Sequence, residues 1–104
     1  MKETLNRETL MHLAPKLAEL TQQVLFDDIW QRSVLSARER SLLTLATLTA
    51  LGRVEQLPWH IDFARKNGLT QQELIESFTH LAFYAGWPAA VTALSYLEEH
   101  SRCR

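Results

Sequence analysis

At 104 residues the chain has room for one small domain, read here as spanning 1–104. Its 46% hydrophobic and 22% charged content is that of a globular protein rather than a disordered one. Eleven Lys+Arg against twelve Asp+Glu give a formal charge of −1, which lacks the footprint of a phosphate-backbone binder and argues against nucleic-acid binding.

The first predicted helix runs from Thr4 to Leu20, with Leu10, Leu13, Leu17 and Leu20 at spacings of three and four. Pro15 should kink it or split it in two. A second segment near Gln22 to Gln31 carries Val24, Leu25, Phe26, Ile29 and Trp30. Ser36-Ala-Arg-Glu39 reads as a capping box opening a third helix that runs to about Leu51, where Gly52 can end it. That helix is apolar on most of its circumference, which predicts a buried central helix. Its apolar-rich run, Leu42 to Leu51, is broken by three threonines and is too short to span a bilayer.

A fourth helix is expected from Val54 or Glu55, with Pro58 tolerated in its first turn and Asn67-Gly68 as its stop. Thr70-Gln-Gln-Glu73 is a second capping box, opening a fifth helix with Leu74, Ile75, Phe78, Leu81 and Ala82 on one stripe. Gly86-Trp87-Pro88 breaks the chain before a last helix carrying Val91, Leu94 and Leu97. The prediction is an all-α fold of about five or six helices joined by short loops. Phe26, Trp30, Phe83, Tyr84 and Trp87 are more large rings than one small core hides, so some are expected in subunit contacts.

The chemistry-bearing residues cluster after Gly52. If one helix covers this stretch, Arg53, Gln56 and His60 share a face at i, i+3 and i+7, and Glu55 pairs with Trp59 at i, i+4. His60 also borders the apolar stripe through Leu57 and Ala64. A half-buried imidazole near an arginine and a carboxylate suits proton delivery; the plainer alternative is a core-edge histidine bonded to a backbone carbonyl. His80 is read as structural, and His12 and His100 as solvated. No HxxxH or HxH grouping points to a metal, and no Gly-rich phosphate loop or GxSxG elbow is present. The lone Cys103 permits no intrachain disulfide or CxxC pair. Together with an N-terminus lacking a signal-like apolar core, it suggests a cytoplasmic setting.

Leu35-Ser-Ala-Arg-Glu-Arg-Ser-Leu-Leu-Thr-Leu-Ala, Leu51-Gly-Arg-Val-Glu-Gln-Leu-Pro-Trp-His60 with its continuation to Leu74, and Leu81-Ala-Phe-Tyr-Ala-Gly-Trp-Pro-Ala-Ala together resemble the carboxymuconolactone decarboxylase family over about residues 26–97. The resemblance implies an alkylhydroperoxidase-like helical bundle that assembles as a homotrimer or homohexamer. The peroxidase branch carries a CxxC pair that would fall at Arg53 and Gln56, and an acidic relay residue near Ser41; none of these is present. Gly52-Arg53, Glu55, Leu57 and His60 look like the pattern of the decarboxylase branch.

That branch implies cofactor-free decarboxylation of a carboxylated lactone in aromatic-compound breakdown. In that role Arg53 holds a substrate carboxylate, His60 delivers the proton and Glu55 orients or tunes His60. Tyr84 and Trp87 wall the pocket. Two other readings stay open: a non-catalytic oligomeric binding protein of the family, and a peroxidase-like protein lacking the CxxC pair.

Overall fold

The computed structural model describes residues 7–102. Among them every regular element is helical, and the chain forms two compact units, one running to Ala37 and one from Arg38. Cys103 lies outside the described residues, as does the side chain of His100.

In the first unit the long predicted helix is split at Pro15, into α1 (Arg7–Leu13) and α2 (Pro15–Leu20). Ala14 takes φ/ψ of −137° and 72°, outside the helical region, because a residue before proline is pushed out of it. The Gln22–Gln31 segment is not an α-helix. It is a π-helical turn over Thr21–Phe26, marked by the Asp27 N–H donating to Gln22, followed by a 3-10 turn over Ile29–Gln31. Phe26 and Trp30 stack with ring centroids 6.2 Å apart. No residue of α2 or of either turn is fully buried.

The second unit holds α3 (Ala37–Leu51), a 3-10 turn (Val54–Gln56), α4 (Leu57–Lys66), α5 (Gln71–Leu81) and α6 (Trp87–Arg102). Its core joins Leu45 of α3, Leu57, Ile61 and Ala64 of α4, Leu74 and Phe78 of α5, and Ala93 and Leu97 of α6. Each of these falls on one helical stripe, and fully burying a Leu, Ile or Phe side chain contributes roughly 1.5–3 kcal/mol.

The expectation of a largely buried α3 does not hold. Only Ser41, Leu45 and Thr49 are buried, one stripe at intervals of four, while Leu43 and Leu51 stand 57% and 64% exposed. A unit this small can cover a helix on one side only.

Two glycine turns shape the site. At the end of α3 the Gly52 N–H donates to Thr49 and the Arg53 N–H to Leu48, a Schellman pair that needs the positive φ of +75° at Gly52. At the end of α4 the same pair recurs, from Gly68 to Arg65 and from Leu69 to Ala64, with φ +101° at Gly68.

The capping box opening α5 is complete. Glu73 N–H donates to the Thr70 hydroxyl at 3.1 Å, and Thr70 N–H donates to the Glu73 carboxylate at 3.0 Å. That backbone donor, reinforced by the Arg38 guanidinium, holds the Glu73 carboxyl below its ordinary value. No helix among the described residues is long and apolar enough to cross a membrane.

Candidate functional site

Pro58 decides the local geometry between α3 and α4. It lacks an N–H and so cannot bond back four residues, and α4 starts only at Leu57. The stretch before it closes as a tighter turn, with Gln56 N–H donating to Arg53 at 3.2 Å and Leu57 N–H to Val54.

This overturns one expectation. Arg53 stands outside any helix at φ −86° and ψ 61°, and Glu55 and Gln56 belong to the 3-10 turn, so the i, i+3, i+7 argument does not place Arg53, Gln56 and His60 on one face. A 3-10 turn advances about 120° per residue rather than 100° and shifts the phase of everything before α4. The expected Glu55–Trp59 helical pair lapses for the same reason.

His60 lies one turn into α4 and is half-buried. Its ring meets Trp59 edge-on at 4.9 Å and 79°, and Trp59 in turn lies 4.9 Å from Phe63. Burial pushes the imidazole below its ordinary value of 6.5, so it is neutral at neutral pH. Arg53 and Glu55 are both exposed. Among the described residues no hydrogen bond or ion pair links either of them to His60, and the Arg53 guanidinium has no carboxylate partner. A guanidinium without a carboxylate keeps its planar donor fork available to an incoming anion.

Tyr84 and Trp87 stand at the α5–α6 corner, 79% and 69% exposed. Tyr84 pairs with the exposed ring of His80 at 5.0 Å and 30°. The second unit thus presents a half-buried imidazole, an exposed arginine ahead of it in the chain and an exposed aromatic corner. Among the described residues no group of three His, Cys, Asp or Glu side chains is placed to hold a metal ion.

Two polar features of α3 escaped the sequence. Ser41 is 2% exposed and accepts a 2.9 Å hydrogen bond from the Asn67 side-chain amide. Thr49, also 2% exposed, has a buried hydroxyl with no hydrogen-bond partner among the described residues. Both fall at four-residue spacing from Leu45, and that periodicity was the available signal. A pocket of about 380 Å³ lies elsewhere, in the first unit, lined by Leu10, Met11, Pro15, Ala18 and Thr21 among others.

A sequence model of the carboxymuconolactone decarboxylase family matches residues 15–99. The 4-carboxymuconolactone decarboxylase of Acinetobacter baylyi is 42% identical over 72 residues, which is 69% of this chain and 54% of that protein. Nitrosuccinic acid decarboxylase npaB of Metarhizium robertsii is 34% identical over 76 residues, 73% of this chain and 53% of that protein. The chain therefore spans about half the length of these curated relatives.

Proposed function

The chain belongs to the carboxymuconolactone decarboxylase family, and from that premise we propose that it is a decarboxylase acting on a small organic acid. The observation that carries the reading is His60: a half-buried, neutral imidazole in the first turn of α4, downstream of a turn that presents an arginine with no carboxylate partner among the described residues. Both relatives are named for removing a carboxyl group, one from a carboxylated lactone and one from nitrosuccinic acid.

The chemistry runs as follows for a carboxylated lactone in aromatic-compound breakdown. The bond to the departing carboxylate breaks, CO2 leaves, and the electron pair delocalises through the conjugated carbon frame onto the lactone carbonyl. The substrate is its own electron sink, so this reading calls on no cofactor. Arg53 holds the retained carboxylate through its planar fork. An anion beside His60 favours its charged form, so the imidazole takes up a proton as substrate binds. The imidazolium then protonates the carbanion and returns to neutral. Glu55 orients that ring once substrate has drawn the turn together, and Tyr84 and Trp87 wall the bound molecule.

The same reading includes a cytoplasmic setting and self-association as a homotrimer or homohexamer. The openness of Arg53, Glu55, Tyr84 and Trp87 favours the second reading, a non-catalytic binding protein of the family. Decarboxylation assays on 4-carboxymuconolactone and nitrosuccinic acid separate the two. Turnover by the wild type, with His60→Ala slower by about 10²–10⁴-fold at similar substrate affinity, supports the enzyme. Binding of either acid without turnover supports the binding protein.

A further inference from the structure

An imidazole delivers a proton along its N–H bond, so the ring has to point at the acceptor. The usual holder is a hydrogen bond from the other ring nitrogen to a carboxylate or a backbone carbonyl. Among the described residues no hydrogen bond or ion pair holds the His60 ring. What meets it is the indole of Trp59.

That contact is not a given of the helix. Side chains at i and i+1 of a helix do not face each other. Yet the Trp59 and His60 rings meet at 4.9 Å and 79°, the edge-on arrangement that aromatic pairs favour. Phe63 accounts for it. It stands four residues after Trp59 and three after His60, on the same side of α4 as both. Its half-buried ring lies 4.9 Å from the indole at 36°. The indole therefore touches a ring set into the helix surface as well as the imidazole. Trp59 itself is 49% exposed and lies outside the core cluster, so core packing does not account for it.

We propose that Trp59 is a positioning residue: braced by Phe63, it fixes the orientation of the His60 imidazole and thereby aims the proton that His60 delivers. The aiming presupposes the decarboxylase reading above; the fixing stands on the ring contacts alone. An aromatic holder differs from a carboxylate in one useful respect. It sets the ring's angle without adding a negative charge that would favour the imidazolium. The free protein then keeps a neutral imidazole, and the charge arrives with the anionic substrate.

Two measurements on the full chain test this, with Trp59→Leu and Trp59→Phe. Three-bond NMR couplings report the His60 χ1 populations without substrate. One dominant rotamer is expected in the wild type and in Trp59→Phe, and an averaged ring in Trp59→Leu. An averaged ring in the wild type, which requires no variant to fold, overturns the proposal. So does a single rotamer kept in Trp59→Leu. In decarboxylation of 4-carboxymuconolactone, Trp59→Leu should lower kcat about tenfold with KM within about twofold, and Trp59→Phe should recover most of the loss. In a His60→Ala background, Trp59→Leu should cost nothing further, because the two act as a unit. Unchanged kcat, a loss confined to KM, or an equal loss without His60 overturns the positioning role. A wild type that turns over neither 4-carboxymuconolactone nor nitrosuccinic acid removes the decarboxylase reading instead, and the couplings then decide by themselves whether Trp59 holds the ring.

Discussion

The side-chain amide of Asn67, at the end of α4, donates a 2.9 Å hydrogen bond to the buried hydroxyl of Ser41 on α3, 26 positions earlier. It ties the two helices on either side of the Arg53 turn with a polar contact in a largely apolar core. Ser41→Ala strands the amide and should destabilise the protein by about 1–2 kcal/mol. In a Ser41→Ala/Asn67→Ala cycle the two losses should fail to add by about 0.5–1.5 kcal/mol, read by urea denaturation. Strict additivity would mean that the contact does not form in solution.

Thr49 presents the opposite case, a buried hydroxyl on the same stripe with no partner among the described residues. Thr49→Val keeps the shape and removes the unsatisfied group. It should stabilise the protein by about 1 kcal/mol. In thermal denaturation that is a rise of about 4–8 °C. A fall in melting temperature would show that the hydroxyl is satisfied in solution.

Because burial lowers the His60 pKa from 6.5, the unfolded chain binds this proton more readily than the folded one. Above 6.5 the imidazole is neutral in both states and exacts no penalty. As pH falls from 6.5 toward the folded value, stability drops, and it levels off below that value. His60→Gln should flatten this part of the stability profile. An NMR titration should place the imidazole midpoint below 6.5 in the free protein, and a carboxylate ligand should move it upward. A midpoint at or above 6.5 without ligand contradicts the burial.

Gly52 sets where Arg53 leaves α3, with its φ of +75°. A Cβ built there meets nothing within 4 Å, so Gly52→Ala is penalised by backbone conformation and not by a clash. The expected loss is on the order of 1 kcal/mol. If Arg53 holds a substrate carboxylate, the displaced turn should raise KM more than it lowers kcat. A variant with lost stability and unchanged KM would remove Arg53 from the site.

Much of the fold was legible because its signals are local. Pro15 splits the first helix, Gly68 ends α4, and Thr70 with Glu73 caps α5, each through bonds among residues a few positions apart. The site was less legible. Gly52, Arg53 and His60 could be read as one pattern, but their common helical face could not, because one missing N–H at Pro58 turned the stretch into a 3-10 turn. The Ser41–Asn67 bond has no local signature, since serine and asparagine at that separation pair only when two helices pack.

The sequence by itself determined the helical class, the breaks and caps of most helices, and the imidazole as the group to watch. These depend on propensity, periodicity and turn chemistry, which act over a few residues. Tertiary packing decided which stripe of α3 is covered, that burial lowers the His60 pKa, and that Phe83, Tyr84 and Trp87 stay outside. Periodicity gives a helix its apolar directions, but exposure is settled by what else occupies the space, and a unit this small cannot cover every apolar face it displays.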